Sequence, residues 1–249
     1  MSAGTRALID KSSVLSVRFY TGGPSSVSEL AMLNGSNHFA YGTDGRWEII
    51  AAQNCTLQGD GSYLLTDLLR GRSGTEWAMS LHAVGDYVVA LDSSLQFITS
   101  NSSSIGLTRL YRAVTAGRNI ESSIAESHTY AGVNLECLSP VYLNGNRHPT
   151  TNDWTLTWIR RSRVDAQWRD YVDVALGEAS ELYDVEVYSS GAYTTLKRTF
   201  SNLTSATTPY TSAQQVTDFG SNQATLYVKI YQISQTVGRG NALITSITR

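Results

Sequence analysis

The sequence has little of what marks disulfide-bonded, redox-active or metal-binding proteins. It contains only two cysteines, Cys55 and Cys137, and no CxxC spacing. A redox or metal motif built on closely spaced thiols is therefore excluded. The two cysteines could pair with each other, but we predict that both are reduced and partly buried, where they pack as small hydrophobic residues.

Long apolar runs and strong charge are also missing. No segment approaches the ~18 apolar residues that a membrane-spanning helix requires. The first residues, MSAGTRALIDKSS, lack the apolar region of a signal peptide. Charged residues make up 16% of the chain and the net charge is −2. Because no apolar run is long enough to span a membrane, we expect a soluble protein. Because nucleic-acid-binding proteins normally carry a basic face, we also expect no nucleic-acid partner.

Helix-favouring patterns are scarce, whereas strand patterns are frequent. Aromatic residues make up 10% of the chain and include 14 tyrosines and 5 tryptophans, and such flat rings pack well on a pleated sheet. Residues 117–130 are the one segment that could carry a short helix, and their serine and β-branched content argues against it. The patterns therefore predict an all-β fold.

Chain length and turn signals predict two domains. The 249 residues suffice for two domains of ordinary size, and we place the boundary near Gly132. Residues 1–131 are predicted to form a sandwich-like or barrel-like β-domain. Its predicted strands are 12–20, 46–53, 63–65, 86–92 and 107–114. We expect residues 66–77 to form a fixed irregular turn, and strand 86–92 to be buried on both faces.

Residues 132–249 predict a seven-strand β-sandwich. Short alternating runs are separated by turn-rich segments such as Asn144-Gly145-Asn146 and Gly238-Arg239-Gly240. The predicted strands are 135–143, 153–160, 182–188, 192–200, 209–214, 225–234 and 242–248. The predicted fold class is thus all-β with two β-sandwich-like domains, the second of the fibronectin type III or immunoglobulin type.

The best functional candidate is the polar, arginine-rich segment between the second and third of these strands. A long loop on two rigid strands is typical of a binding surface rather than a catalytic cleft. Arginine and aromatic residues, which are enriched at interface hot spots, are concentrated there. The candidate interface residues are Arg160, Arg161, Arg163, Asp165, Trp168, Arg169 and Tyr171. The sequence leaves open whether these arginines instead pair with carboxylates of the same loop, and both interpretations can hold together.

Patterns for nucleophilic or metal-assisted catalysis are weak. Gly71-Arg72-Ser73-Gly74 is not a GxSxG nucleophile elbow. The histidines, which have no partner at zinc-ligand spacing, are His38, His82, His128 and His148. We interpret each of them as a surface histidine or a hydrogen-bonded structural one. We therefore predict no catalytic residue, no cofactor site and no metal site.

Paired carboxylates are the one catalytic alternative, because such pairs hydrolyse polysaccharides. Acidic residues in or near predicted loops are Asp60, Asp67, Glu76, Asp86, Asp165, Asp170, Asp173 and Glu178. The sequence does not bring any two of them to the separation that glycoside hydrolysis needs. We interpret most of them as turn caps or solvated charges, and keep a polysaccharide depolymerase as the alternative function.

Several segments together resemble one known family. They are WEII at 47–50, YLLTDLLRGRSGTE at 63–76, HAVGDYVVALD at 82–92, LSPVYL at 138–143, LTWIRRSRVD at 156–165, LGEASELYDVEVY at 176–188 and VKIYQISQTVGRG at 228–240. In this order they resemble the C-terminal part of phage tail-tip proteins, a group that includes gene-transfer-agent baseplate hub and host-specificity proteins. LLRGRSGTE and WIRRSRVD carry most of the specificity. The second half also resembles a fibronectin type III sandwich, with Trp158 as its strand-B tryptophan and Leu226 where that fold usually has a tyrosine.

The resemblance implies a non-enzymatic component of a virion tail tip or baseplate, made in the bacterial cytoplasm. Its partners would be baseplate hub proteins, tail fibre proteins and a glycan or protein receptor on the host envelope. It also implies a homotrimer, or three copies around the tail axis. A third possibility, a secreted cellular adhesion module, would be favoured by a signal peptide or paired cysteines, and the sequence supports neither.

Overall fold

The computed structural model describes residues 8–164 and 170–249. The chain forms two compact units, which meet in the sequence between Ile98 and Thr99 and are called here the first and second units. Sheets dominate both units and every pairing in the described part of the chain is antiparallel, so the all-β prediction is confirmed. The predicted domain boundary near Gly132 lies inside the second unit and stays a prediction, because compactness alone does not define a domain.

A single five-stranded sheet forms the framework of the first unit. Its strands are β1 (Leu15–Val17), β2 (His38–Gly42), β3 (Glu48–Leu57), β4 (Tyr63–Arg72) and β5 (Tyr87–Ala90). Their order across the sheet is β1-β4-β3-β2-β5, so β1 and β5 are the two edges. Strands β3 and β4 form a long hairpin.

Both faces of this sheet are apolar. One face carries the larger core cluster, which consists of Leu15, Phe39, Tyr41, Ile50, Ala52, Cys55, Leu65 and Leu68. Val17 of edge β1 and Val88 of edge β5 pack against this same cluster. The opposite face packs Ala51 and Leu69 against Met32 of helix α1 (Glu29–Leu33). Because both edge strands contribute to one cluster, the sheet has the character of a half-barrel.

The first unit departs from the sequence expectation in three places. Residues 66–77 were expected to be an irregular turn, but β4 continues through to Arg72. The strand at 86–92 was expected to be buried on both faces, but β5 is an edge strand and Tyr87 is 63% exposed. Strand β2 and α1 both lie in a segment for which no element was predicted, because glycine and polar residues interrupt it.

The second unit contains a β-sandwich and a separate two-stranded hairpin. Its strands are β6 (Thr108–Tyr111), β7 (Glu126–Thr129), β8 (Val141–Arg147), β9 (Trp154–Ile159), β10 (Tyr183–Tyr188), β11 (Leu196–Leu203), β12 (Thr207–Tyr210), β13 (Thr225–Ser234), β14 (Gly238–Arg239) and β15 (Leu243–Thr248). One sheet has the order β12-β9-β8; the other has the order β11-β10-β13, with β15 and the short β14 both paired to β13. Each of the seven predicted strand segments overlaps a strand of the structure, although the strand predicted at 135–143 begins only at Val141, and the two antiparallel sheets confirm the predicted β-sandwich.

Alternating side chains fill the space between the two sheets. On β9 the buried residues are Trp154, Leu156 and Trp158, while the residues between them are exposed. The indole of Trp158 meets the ring of Tyr183 on β10 edge to face, with ring centroids 5.3 Å apart. The indole N–H of Trp154 donates to the carbonyl of Gln223 at 3.1 Å. Both tryptophans of β9 therefore lie in the core, as the period-2 pattern predicts.

One helix interrupts the predicted strand pattern of the sandwich. The predicted strand 209–214 ends at Tyr210, and helix α2 (Ser212–Phe219) follows. Thr211 and Gln214 form a reciprocal capping box that satisfies the first backbone N–H groups of α2. In the described part of the chain, no helix is long and apolar enough to cross a membrane.

Candidate functional site

The predicted interface loop connects β9 to β10, and two arginine–carboxylate pairs close its base. Arg160 Nη2 lies 2.6 Å from Asp173 Oδ2 and also donates to the carbonyl of Val174 at 2.7 Å. Arg163 Nη2 lies 2.7 Å from Glu178 Oε1. The interpretation that the loop arginines pair with carboxylates of the same loop therefore holds for these two residues.

The third arginine of the group fixes the loop to a neighbouring segment. Arg161 Nε donates to the carbonyl of Ser139 at 2.7 Å. Ser139 is buried just before β8, so this bond ties the loop to the body of the second unit. The three arginines thus fix the base of the loop.

The far part of the loop presents apolar surface to solvent. Tyr171 is fully exposed and Val172 is 61% exposed. Tyr171 also has a φ of 59°, in the left-handed region that a bulky residue occupies at an energetic cost. Of the other predicted interface residues, Asp165, Trp168 and Arg169 lie outside the described residues. The structure therefore brings Arg160, Arg161 and Arg163 together at the base and leaves Tyr171 free for contact.

A buried thiol lies behind the loop base. Cys137 is a free cysteine, and its Sγ is 3.5 Å from Glu178 Oε1. Burial, and then the nearby Glu178 carboxylate, raise the pKa of Cys137 to about 12. Burial raises the pKa of Cys55, in the first unit, to about 11. Both cysteines are thus free and buried, as the sequence predicts.

The first unit contains a buried ionic cluster that the sequence did not predict. Its centre is the fully buried carboxylate of Glu48. Arg70 approaches it with two nitrogens, Nε to Oε1 at 2.7 Å and Nη2 to Oε2 at 2.8 Å. The backbone N–H of Gly71 donates to Oε1 at 2.8 Å, and His82 Nε2 lies 2.6 Å from Oε2. Burial would raise the pKa of Glu48, but these donors outweigh it and lower the pKa.

The LLRGRSGTE motif is built to surround this carboxylate. Arg70 supplies the guanidinium, and Gly71 has a φ of 57°, which directs its N–H to Glu48. A Cβ at position 71 would lie 2.9 Å from the Cα of Glu76, so only glycine fits there. The hydroxyl of Thr75 accepts from the N–H of Ile49 at 2.9 Å. The motif therefore has a structural explanation in the hairpin of β3 and β4.

His82 links the cluster to a second ion pair. Its ring stacks on Tyr41 with centroids 3.9 Å apart, and its Nδ1 lies 3.5 Å from Asp86 Oδ2. Asp86 is itself held by both terminal nitrogens of Arg46. The pKa of Asp86 is lowered, chiefly by its hydrogen bonds from Arg46. His82 is therefore a buried structural residue, in line with its interpretation from the sequence.

The cluster is suited to structure rather than to proton transfer. Each oxygen of Glu48 already faces two donors, so none is left to take a proton from a substrate. A buried charge is tolerated only where such partners surround it. WEII, LLRGRSGTE and HAVGD therefore meet at one point of the fold because each supplies a member of this cluster.

Asp10 borders the cluster and is expected to make stability depend on pH. Its Oδ2 lies 3.7 Å from Arg70 Nη1. Burial would raise its pKa, but hydrogen bonds from Ser12 and Ser13 lower the pKa to about 2. An unfolded aspartate titrates near 3.9, so this contribution of about 2 kcal/mol is present above about pH 4 and is lost as the pH falls towards 2.

Urea denaturation from pH 7 to pH 2 measures this contribution. Asp10→Asn is expected to remove the loss of stability between about pH 4 and pH 2 that is due to the Asp10 carboxyl. The control Asp60→Asn, which replaces an exposed carboxyl, is expected to keep this loss. Parallel stability curves for the wild type and Asp10→Asn over this range would contradict the prediction.

Five of the carboxylates considered for polysaccharide hydrolysis make structural contacts. Asp60 accepts from Ser62 in a hairpin turn, and Asp67 accepts from the amide of Asn54. Three others each pair with an arginine, and they are Asp86, Asp173 and Glu178. No group of three or more metal-ligating side chains occurs in residues 8–164 and 170–249. These contacts give the depolymerase alternative no support, and it stays a prediction.

Together, these features define an all-β protein in which arginines hold the base of a long loop on a β-sandwich. A family profile described as Rcc01698-like, C-terminal, matches residues 1–89 of the chain. The matched range includes Glu48, Arg70 and His82, and therefore the whole buried cluster around that carboxylate. A search of curated proteins finds no match.

Proposed function

We propose that this chain is a structural, non-enzymatic component of the tail tip or baseplate of a phage or phage-like particle. It binds baseplate hub proteins on one side and a tail fibre or host-surface receptor on the other. The observation that carries the proposal is the Rcc01698-like, C-terminal match over residues 1–89. It covers the segments in the first half of the chain that resemble tail-tip and gene-transfer-agent hub proteins, apart from the last residues of HAVGDYVVALD.

The buried cluster around Glu48 supports the proposal, because the segments that carry the resemblance contact one another there. Isolated strand patterns recur in unrelated β-proteins, whereas a glycine and an arginine that enclose one carboxylate form a connected structural unit. WEII supplies Glu48, LLRGRSGTE supplies Arg70 and Gly71, and HAVGD supplies His82. The resemblance in the first half of the chain thus rests on residues that touch one another.

The arginine-closed loop supports a binding role for the second unit. A partner that docks on a loop whose base is already fixed loses less conformational entropy than one that docks on a free loop. Exposed aromatic residues such as Tyr171 supply large contact area. In a homotrimer, or with three copies around the tail axis, three such loops would gain avidity without further contacts.

Replacing Trp168 and Tyr171 by alanine is expected to lower adsorption of particles to host cells, or incorporation of the chain into particles, by about tenfold or more, the scale of a lost hot spot. Tyr171 is fully exposed, so its removal is expected to leave the fold intact. Particle counts, adsorption rates and circular dichroism of the purified chain measure the three effects.

The matched control is Tyr142→Ala, which removes another exposed tyrosine of the second unit, 76% exposed on β8. It is expected to leave assembly and adsorption unchanged. If particles that carry the double variant assemble and infect normally, the loop has no part in docking and this proposal fails.

A further inference from the structure

The two edges of the five-stranded sheet line one open groove of about 890 Å³ in the first unit. One wall is formed by residues 15–21, which contain β1, and the other by residues 82–90 with Asp92, Ser94 and Leu95. Both strands are terminal in the sheet order. The groove therefore lies where a further strand would stand if the half-barrel were extended.

The hydrogen-bonding register shows which backbone groups of β5 face away from β2. The N–H of Leu91 donates to the carbonyl of His38 at 2.9 Å. Residues in an antiparallel pair alternate between bonding to the neighbour and facing away. Val89 lies two residues before Leu91 and opposite Ala40, so its backbone N–H and C=O also face β2. The backbone N–H and C=O of Val88, between them in the alternation, therefore face the free edge of the sheet. Among the described residues, β5 pairs with no strand other than β2.

The side chains of this groove favour an alternating segment. Val17 and Phe19 on the β1 side, and Val88 and Ala90 on the β5 side, pack against the core cluster of the first unit. A strand added to this edge would direct alternate side chains to that cluster and the others to solvent. Tyr20, at the rim of the groove, is fully exposed and does not pack in the core.

The charges on the two walls differ in sign. Arg18, with a side chain 67% exposed, lies on the β1 wall; it donates to the backbone carbonyl of Asp60 at 2.8 Å, and its Nη2 lies 3.8 Å from the Asp60 carboxylate. Asp92 is an exposed carboxylate on the opposite wall. An extended segment with an acidic residue towards Arg18 and a basic residue towards Asp92 would complement both walls.

We propose that this groove binds an extended polypeptide segment of another protein, which adds to the free edge of β5 as a β-strand. Unpaired edge strands are templates for such addition, in which main-chain hydrogen bonds give affinity and alternate side chains give specificity. The segment would be apolar at every second position and carry one acidic and one basic residue. The groove is a different surface from the loop at 160–182, and it does not depend on the proposed function.

The probe is a fluorescein-labelled nine-residue peptide that alternates valine or phenylalanine with threonine, glutamate and lysine. Fluorescence anisotropy with the intact chain is expected to show saturable binding. An isomer of the same composition, with its apolar residues at helical spacing, is expected to bind with an affinity lower by about tenfold or more. N-methylation of alternate peptide amides removes several hydrogen bonds and is expected to lower affinity by about tenfold or more.

On the protein, Val88→Pro removes the outward N–H and is expected to weaken binding by a similar factor, because proline is tolerated on edge strands. Val89→Thr, which keeps the backbone and changes an outward side chain, is the matched control with unchanged affinity. The methylated peptide provides the same test on an unaltered protein if Val88→Pro does not fold. Equal binding of the helical isomer, or no binding at millimolar peptide, overturns the proposal, as does self-association that Val88→Pro abolishes.

Discussion

Replacing Glu48 by glutamine is expected to lower the free energy of unfolding by about 3–5 kcal/mol, the penalty for leaving one partner of a buried ion pair without its charge. Glu48 and Arg70 both have fully buried side chains, so water cannot compensate for the lost carboxylate. Glutamine has nearly the same size, yet its amide nitrogen would face a guanidinium, His82 or the N–H of Gly71. Chemical denaturation followed by tryptophan fluorescence measures the change.

Two further variants make this result specific. Glu48→Gln combined with Arg70→Met removes both charges, and is expected to recover part of the lost stability because no unpaired guanidinium remains. Asp60→Asn breaks a pair whose side chains are both about two-thirds exposed, and is expected to leave the unfolding midpoint nearly unchanged. A single Glu48→Gln variant as stable as Asp60→Asn would show that the cluster does not hold the sheet together.

Trp154→Ala is expected to lower the free energy of unfolding by about 3–5 kcal/mol, because a fully buried tryptophan leaves a large cavity. The change also leaves the carbonyl of Gln223 without its indole donor. Thermal and urea denaturation with far-UV circular dichroism measure the loss.

The same strand supplies the control for Trp154. Ile159→Ala removes an apolar side chain that is 56% exposed on the opposite face of β9, and is expected to have a much smaller effect. Equal losses for the two variants would contradict the assignment of Trp154 to the core of the sandwich.

The sandwich strands could be predicted from the sequence because their side chains alternate without interruption. Trp154, Leu156 and Trp158 on β9, and Leu226 and Val228 on β13, show period 2 over several residues. The later part of β4 shows no such alternation. Its pairing with β3 shifts register between Ile49 and Ala51, so successive residues are buried on different faces and the pattern resembles a turn.

Helix α2 was missed although its start is marked in the sequence. Thr211 and Gln214 have the spacing of a capping box, and Gly220 follows the last turn with a φ of 78°. The aromatic and threonine residues just before Thr211 suggested that a strand continued there. Local capping chemistry therefore outweighed strand propensity at this point.

The sequence could predict that arginine–carboxylate pairs form within the interface loop, because arginines and carboxylates occur together in one short segment. The cluster around Glu48 could not, since Arg70 lies 22 positions away and His82 lies 34 positions away. Contacts between such distant residues depend on strand register. One sign was available: Glu48 is a charged residue between Trp47 and two isoleucines, a place where an ionised side chain needs a buried partner.

The two buried thiols, of Cys55 and Cys137, have a practical consequence for studying the loop. Alkylating reagents and spin labels react with thiolates, and burial keeps both Cys55 and Cys137 protonated and covered. The natural chain therefore gives little background in thiol-directed labelling. A reporter attached through a cysteine placed at position 171 would respond to that surface alone, so contacts of the loop tip could be followed in an otherwise unmodified protein.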